Sequence, residues 1–238
     1  MRLVTCLGLA ALAALLACAA PVRAATLPFD EEFSAGDSGW RANNNQVGSL
    51  GWSASGGADG GGYVSTSFNF VSSTAGAQGP VLFRGPASAS GGAFVGNWIA
   101  QGVAELSFYA RTDATVPVNF FARFVWPVGF PGAIAVSFTP VSGLPAGEWT
   151  KLTFAISASN PQFVSFEGSD FNTVFSSVGT VQIGVAIPTS LAGVDQAIGF
   201  SVDDVAIRAA VPEPSAAALS GAALGLAILA GRRRSVQR

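Results

Sequence analysis

Apolar and polar positions divide the chain into two apolar ends and a long middle part of short β-rich runs. Between residues 26 and 210 there is no convincing amphipathic helix, and turn signals separate the runs. This pattern predicts one all-β domain, a sandwich or barrel. The candidate strands are Leu106–Ala110, Val116–Val125, Ala133–Phe138, Thr150–Ile156, Thr180–Ile187 and Gly199–Ile207.

Two of these runs also predict where their strands lie in a sheet. The run 150–156 alternates apolar with polar or small residues, which is typical of a strand with one wet face. The run 116–125 is apolar on both faces apart from Asn119 and Arg123, so we expect a central strand. Pro117 should then fall at the start of that strand, because proline cannot donate to the ladder.

The charge of the chain is uneven. The whole chain has a net charge of −2, with 12 basic and 14 acidic residues. The segment between residues 25 and 210 holds six of the cations and 13 of the acids, so its own net charge is −7. An acidic domain argues against binding of nucleic acid and against docking on an anionic lipid surface.

The chain has few residues for cysteine or histidine chemistry. Both cysteines, Cys6 and Cys18, lie in the N-terminal apolar segment, and the chain has no histidine. Cleavage of that segment would leave a domain with neither a thiol nor a disulfide. The usual nucleophile–histidine pairings and most zinc sites are therefore excluded.

The N-terminal segment has the features of a secretory signal peptide spanning residues 1–24. A short positive start precedes an apolar run, and Val22 and Ala24 occupy the positions required for cleavage after Ala24. One alternative is a lipobox ending at Cys18, in which the cysteine would be acylated. Another alternative is an uncleaved membrane anchor.

The C-terminal end is a short apolar span followed by positive charge. The stretch from Ser215 to Gly231 would extend about 25 Å as a helix, the short end of a bilayer span. The arginines after it would stay cytoplasmic by the positive-inside rule. The residues alone therefore predict a domain outside the inner membrane and a tail inside.

A short motif precedes this span. The motif and the closing cluster consist of Val211, Pro212, Glu213, Pro214, Arg232, Arg233 and Arg234. Their order, spacing and position resemble the PEP-CTERM sorting signal of Gram-negative bacteria. The resemblance implies an exosortase as partner, removal of the tail near residues 212–214, transient inner-membrane anchoring, and a final place at the cell surface or in an exopolysaccharide or biofilm matrix. The competing interpretation is an ordinary C-terminal anchor.

Glycine-rich and aromatic motifs cross residues 29–110. They are Phe33, Gly39-Trp40, Gly56-Gly57, Gly61-Gly62-Tyr63-Val64, Gly79-Pro80-Val81-Leu82-Phe83-Arg84-Gly85 and Ser90-Gly91-Gly92. In this order they resemble a laminin B-type domain, which implies a jelly-roll sandwich close to galactose-binding-like modules. The predicted organisation is a signal peptide (1–24), a jelly-roll β-sandwich (25–210) and a sorting tail with a hydrophobic helix (211–238).

Acidic residues gather at both ends of the middle domain. They are Asp30, Glu31, Glu32, Asp203 and Asp204. In jelly rolls of the resembled kind a structural calcium often joins the first and last strands, and calcium prefers several hard oxygen ligands. These acids are therefore candidate calcium ligands that would clamp the termini together. The alternative is that they are solvated acids near strand ends.

A sugar-binding surface needs exposed aromatic rings beside polar groups. Trp149 opens a regular strand and Trp40 lies at a strand–turn boundary, so both are predicted to be packing residues. The candidate glycan-binding residues are instead Trp52, Trp98 and Trp126, which stand near Gly, Pro or Asn in loop-like contexts; their candidate polar partners are Asn97, Asn119 and Arg123. The alternative for each ring is a place in the core.

The sequence predicts an exported, non-catalytic surface or matrix protein associated with extracellular polysaccharide. The strand acids are isolated, and Asp203 and Asp204 would point to opposite faces of a regular strand. The paired carboxylates of glycoside hydrolysis are therefore not evident. Two alternatives are a glycan-active hydrolase or lyase on a jelly-roll scaffold, and a purely structural coat or adhesin protein.

Overall fold

Two antiparallel sheets pack face to face in the computed structural model, which describes residues 27–42, 49–143 and 148–210. The strands are β1 (Phe29–Glu31), β2 (Gly51–Ser53), β3 (Tyr63–Asn69), β4 (Gln78–Gly85), β5 (Val103–Thr112), β6 (Asn119–Val125), β7 (Gly132–Val136), β8 (Thr150–Ala155), β9 (Phe163–Ser165), β10 (Thr180–Ala186) and β11 (Ala197–Ala209). Two short helices are described, α1 (Trp98–Gln101) and α2 (Phe171–Phe175). The prediction of an all-β jelly-roll sandwich is confirmed.

The order of the strands separates the two sheets cleanly. The six-stranded sheet has the order β2-β3-β11-β5-β8, and β1 also pairs with β11. The five-stranded sheet has the order β4-β10-β6-β7-β9. The first and last described strands are therefore neighbours, with Phe29 opposite Ile207.

The two positional predictions hold. β6 is the central strand of its sheet, and Pro117 lies two residues before it. β8 has the predicted single wet face, since Leu152 and Phe154 are buried while Lys151, Thr153 and Ala155 are exposed, and it lies at an edge of its sheet. Alternation of side chains along a strand explains both patterns, since one face of β8 meets water and the other meets the core.

Phenylalanine rings fill the space between the sheets. Phe108 and Phe200 of the six-stranded sheet meet Phe120 of β6, with ring centroids 6.2 and 6.1 Å apart. The rings meet edge to face, which is a favoured geometry for aromatic pairs. Because side chains alternate along a strand, the residues between these core positions point outward, and a functional face can form there.

The sequence-predicted terminal segments lie outside the described residues. These are the signal peptide at 1–24, with Cys18, and the sorting tail at 211–238, with its motif and arginine cluster. In the part of the chain that is described, no helix is long and apolar enough to cross a bilayer.

Candidate functional site

Arg123 is held rigidly on the outward face of β6. Its Nε and Nη2 donate to the two carboxylate oxygens of Glu167, at 2.6 and 2.7 Å. Its Nη1 donates to Oε1 of Gln182, at 3.2 Å. A bidentate pair of this kind fixes the plane as well as the position of the guanidinium.

Strand register extends this contact into a row across the sheet. Gln182 of β10 lies opposite Arg123 on one side and opposite Arg84 of β4 on the other. Burial, and then the positive charge of Arg123, lower the pKa of Arg84 from its ordinary value. The Arg84–Gln182–Arg123 row therefore aligns two guanidiniums and an amide across the sheet, with the central Gln182 only 1% exposed.

Local backbone geometry positions the carboxylate of Glu167. Glu167 has a positive φ of 51°, and its N–H donates to the hydroxyl of Ser165 at 3.0 Å. Gly132 leaves the necessary room, because a Cβ there would lie 2.8 Å from Oε2 of Glu167 and 3.3 Å from Nε of Arg123. The ion pair thus depends on a strained residue and on a missing side chain.

A groove of about 530 Å³ opens at the Arg84 end of this row. Residues 86–88 form one wall and residues 126–129 form the other. Trp126 is half-buried in the second wall, and its Nε1 donates to the carbonyl of Thr173 at 2.9 Å, so the ring is anchored. Val128 in this wall and Phe130 just beyond it are 81% and 62% exposed at the tip of the β6–β7 hairpin.

The groove has little to offer as a catalytic centre. Its lining includes no carboxylate among the described residues, and the nearby Glu167 is occupied by Arg123. Glycoside hydrolysis usually needs two carboxylates flanking the bond that breaks. The geometry fits recognition of a ligand better than its cleavage.

The structure gathers three of the predicted glycan-binding residues on this sheet. Arg123 and Asn119 share the outward face of β6, where the amide of Asn119 donates to the carbonyl of Ser137. Trp126 follows the strand directly. Trp52 lies on β2 of the other sheet, where it is 42% exposed and donates to the carbonyl of Phe33.

The prediction for Trp98 is corrected by the structure. The side chain is fully buried at the start of α1 and packs on Phe124 and Phe175, with ring centroids 5.3 and 6.0 Å away. The neighbouring Asn97, which indicated a loop, accepts from the N–H of Ala100 and caps the helix. The Trp98 ring is therefore a core element and not a surface for sugar.

The candidate calcium ligands of the first strand point to separate partners. Asp30 pairs with Arg208. Oε1 of Glu31 accepts from the N–H of Phe33 and from the hydroxyl of Ser38, at 3.0 and 2.8 Å, whereas Glu32 is exposed. These contacts already use part of the oxygen set that a calcium ion would require.

The candidate ligands of the last strand lie at a bulge. Asp203 is 1% exposed and accepts from the N–H groups of Ala58 and Asp204, both at 2.7 Å. Burial raises the pKa of Asp203 to about 6. No cluster of three or more metal-ligating acids occurs among the described residues. Calcium binding stays a prediction.

The sequence did not identify the residues that hold Arg123 and Arg111 in place. Glu167 lies 44 residues from Arg123, and nothing in the sequence links the two. Gln182 is one polar residue within an apolar run, and that interruption is the available signal for a polar row across the sheet, in which Gln182 itself is buried. Trp149, predicted to be a packing residue, stacks on the guanidinium of Arg111 at the surface of the other sheet.

Comparisons with known proteins give matches in structure only. The sequence matches no protein-family model and no curated protein. Among solved structures, the chain is similar to the family 11 carbohydrate-binding module of a Clostridium thermocellum cellulosomal cellulase, with 10% identity and a TM-score of 0.42 over 79% of this chain and 99% of that one. It is also similar to the C-terminal family 22 carbohydrate-binding module of a xylanase from the same organism, with 13% identity and a TM-score of 0.42 over 76% and 93%.

A third match is a larger protein. It comprises the CBM22-1 and GH10 modules of Clostridium thermocellum endo-1,4-β-D-xylanase 10B in complex with xylohexaose, with 16% identity and a TM-score of 0.44. The match covers 77% of this chain, which spans only 28% of that one. All three TM-scores are below 0.5, so the function of this chain has to be inferred from its own residues.

Proposed function

We propose that the domain is a non-catalytic module that binds an extracellular polysaccharide along the outer face of the five-stranded sheet. The observation that carries this proposal is the groove in which the anchored Trp126 lies beside Arg84 and Thr180, at the end of the Arg84–Gln182–Arg123 row. The anchored aromatic ring supplies a stacking surface for a sugar ring, and Arg84 and Thr180 in the groove lining supply polar groups for its hydroxyls.

Preorganisation strengthens the proposal. The Arg123 guanidinium is fixed by Glu167, and the Trp126 indole is fixed by the carbonyl of Thr173. Side chains that are already ordered lose less conformational entropy when a ligand binds. A flexible glycan needs such a surface, because the glycan itself loses freedom on binding.

Isothermal titration with uncharged soluble polysaccharides (unsubstituted xylan and mixed-linkage β-glucan) tests the proposal. We expect binding of at least one of the two, weakened about tenfold by Trp126→Ala through loss of the stacking surface. Trp52→Ala is the matched control, since that indole also donates to a carbonyl but lies on the other sheet. Absence of binding to both polysaccharides, or equal loss in the control, would contradict the proposal.

We also propose that the chain is exported and sorted through its C-terminal tail by an exosortase, which would deliver the domain to the cell surface or matrix. The support is the order of the Val211–Pro214 motif, apolar stretch and arginine cluster. Intact mass of the protein recovered from cells and medium is the test. A mass starting at Ala25 and ending near Pro214 is expected, and retention of residues 232–238 would make the tail an ordinary anchor.

A further inference from the structure

A second groove, of about 730 Å³, lies on the outer face of the six-stranded sheet. Its floor is made of small residues in register, with Ser65 opposite both Gly51 and Ser201, and Ser67 opposite Gly199. Gly51 has to stay small, because a Cβ there would lie 2.8 Å from the Ser65 hydroxyl. The floor therefore presents hydroxyl groups that bulkier residues would cover.

A stacked cation forms one end of this groove. The guanidinium carbon of Arg111 lies 4.8 Å from the ring centroid of Tyr63 and 4.4 Å from that of Trp149. The Trp149 indole is itself held, since its Nε1 donates to the carbonyl of Gly56 at 3.1 Å. Stacking on two rings orients the guanidinium plane and leaves its N–H edge for a ligand.

Arg111 has no carboxylate partner among the described residues, which distinguishes it from Arg123. The carboxylate of Asp113 is instead fixed at another part of the groove, where Oδ1 accepts from the N–H of Gly199 at 2.6 Å. The groove therefore has a cation, Arg111, and a hydrogen-bond acceptor, Asp113, at separate places along its lining.

A further hydroxyl is available in the groove. Ser201 lies directly opposite Arg111 and is only 9% exposed, yet it lines the groove. Its hydroxyl forms no side-chain hydrogen bond with the residues that the structure describes. The Oγ atom is accessible from the groove, so it can bond to a ligand that enters there.

We infer that this groove is a second binding site, specific for a uronic acid unit of an acidic polysaccharide. The planar carboxylate of the sugar accepts from the guanidinium of Arg111, and the Ser65 and Ser201 hydroxyls bond to the ring hydroxyls. Asp113 accepts from a further sugar hydroxyl. A simple anion would use only the cation, whereas a uronate uses the cation, the hydroxyl floor and the acceptor.

This site is independent of the proposed polysaccharide-binding face. Its residues lie on β3, β5 and β11, and those of the other face lie on β4, β6 and β10, in the opposite sheet. A molecule with both sites occupied would link two glycan chains. Variants at Arg111 and at Trp126 therefore test the two proposals separately.

The test is titration of the full protein with oligogalacturonate and with its methyl ester, which has the same sugar rings without the charge. We expect oligogalacturonate to bind, the ester to bind about tenfold more weakly or not at all, and Arg111→Gln to lower affinity for the acid to that of the ester. Trp126→Ala should leave oligogalacturonate affinity at this groove within about twofold of the unmodified protein.

A second variant covers the case in which Arg111→Gln disturbs the fold. Ser67 is exposed in the groove, so Ser67→Trp should fill it without touching the core, and should abolish oligogalacturonate binding with an unchanged melting temperature. The inference fails if unmodified protein does not bind oligogalacturonate, if the ester binds equally well, or if Ser67→Trp binds as the unmodified protein does. If Trp126→Ala alone abolishes binding, the acid binds on the other face and the inference also fails.

Discussion

The outer faces of the two sheets use charge in opposite ways. On the five-stranded sheet, Arg123 is paired with Glu167 and bridged to Gln182. On the six-stranded sheet, Arg111 is held by the rings of Tyr63 and Trp149. An ion pair fixes a guanidinium but consumes much of its hydrogen-bonding capacity, whereas aromatic stacking fixes it and leaves that capacity for a ligand.

A glycine on each face also has a different neighbour, which a side chain at that position would meet. A Cβ at Gly184 of β10 would lie 2.3 Å from the ring of Phe121, a buried residue. A Cβ at Gly199 of β11 would meet the carboxylate of Asp113 at 2.9 Å. One missing side chain makes room for a packed ring, and the other keeps a groove open.

The largest effect that we expect from this contrast is on stability. Gly184→Ala should lower the free energy of unfolding by about 1–3 kcal/mol, because the Phe121 ring and the strand beneath it have to shift. Gly199→Ala should cost clearly less, since the end of the Asp113 side chain can move away. Denaturant unfolding of both variants measures the difference. Equal losses would mean that the two faces do not differ in packing at these positions.

A second expectation concerns pH, and it applies to the six-stranded sheet, which carries Asp203. Burial raises the pKa of this carboxyl to about 6 from an ordinary value of 3.8. The folded state therefore binds more protons in that interval, so the contribution of this carboxyl to stability is largest below about pH 4 and is lost as the pH rises to about 6. The loss attributable to this group should be on the order of 1–2 kcal/mol.

Unfolding measured from pH 4 to pH 7 in the unmodified protein and in Asp203→Asn isolates this contribution. The variant removes the titrating group, so the part of the slope between pH 4 and pH 6 that belongs to it should disappear. Loss of an acceptor for the N–H groups of Ala58 and Asp204 will shift the whole curve, and the slope is therefore the relevant quantity. An unchanged slope would contradict the burial argument.

The smallest effect that we expect is that of calcium, which we propose as a structural ligand near Asp203 and Glu31. At millimolar calcium, binding of the strength usual for extracellular modules would stabilise the fold by about 1 kcal/mol. The gain should vanish in Asp203→Asn, and magnesium at the same concentration is the control. A melting temperature that does not respond to calcium would leave these acids as solvated or hydrogen-bonded groups.

The fold was predictable where side-chain alternation is strong. The runs that became β6 and β8 carry the clearest patterns, and the central position of β6 and the single wet face of β8 followed from them. The three-residue strands β1, β2 and β9 carry too few positions to show a period. Their pairing depends on partners far along the chain, which a local pattern does not contain.

The candidate sites were predictable only in part, for a related reason. Arg123 and Trp126 could be singled out because a polar residue in an apolar strand and an aromatic residue beside prolines are local signals. Glu167 and Trp149 acquire their roles through contacts with Arg123 and Arg111, 44 and 38 residues away. The prediction that Trp98 is an exposed ring was wrong because the neighbouring Asn97 is a residue typical both of loops and of helix caps.

The long pairing of β11 also has a mechanical consequence. Its 13 residues pair with β5 on one side and with β3 and β1 on the other, and residue 210 follows at once. Tension from a C-terminal tether would load these ladders in shear, so many hydrogen bonds would have to yield together. Tension between residues 27 and 210 would instead unzip β1, since Phe29 lies opposite Ile207. Single-molecule pulling should show a higher rupture force when the β11 ladders are loaded in shear than when tension between residues 27 and 210 unzips β1.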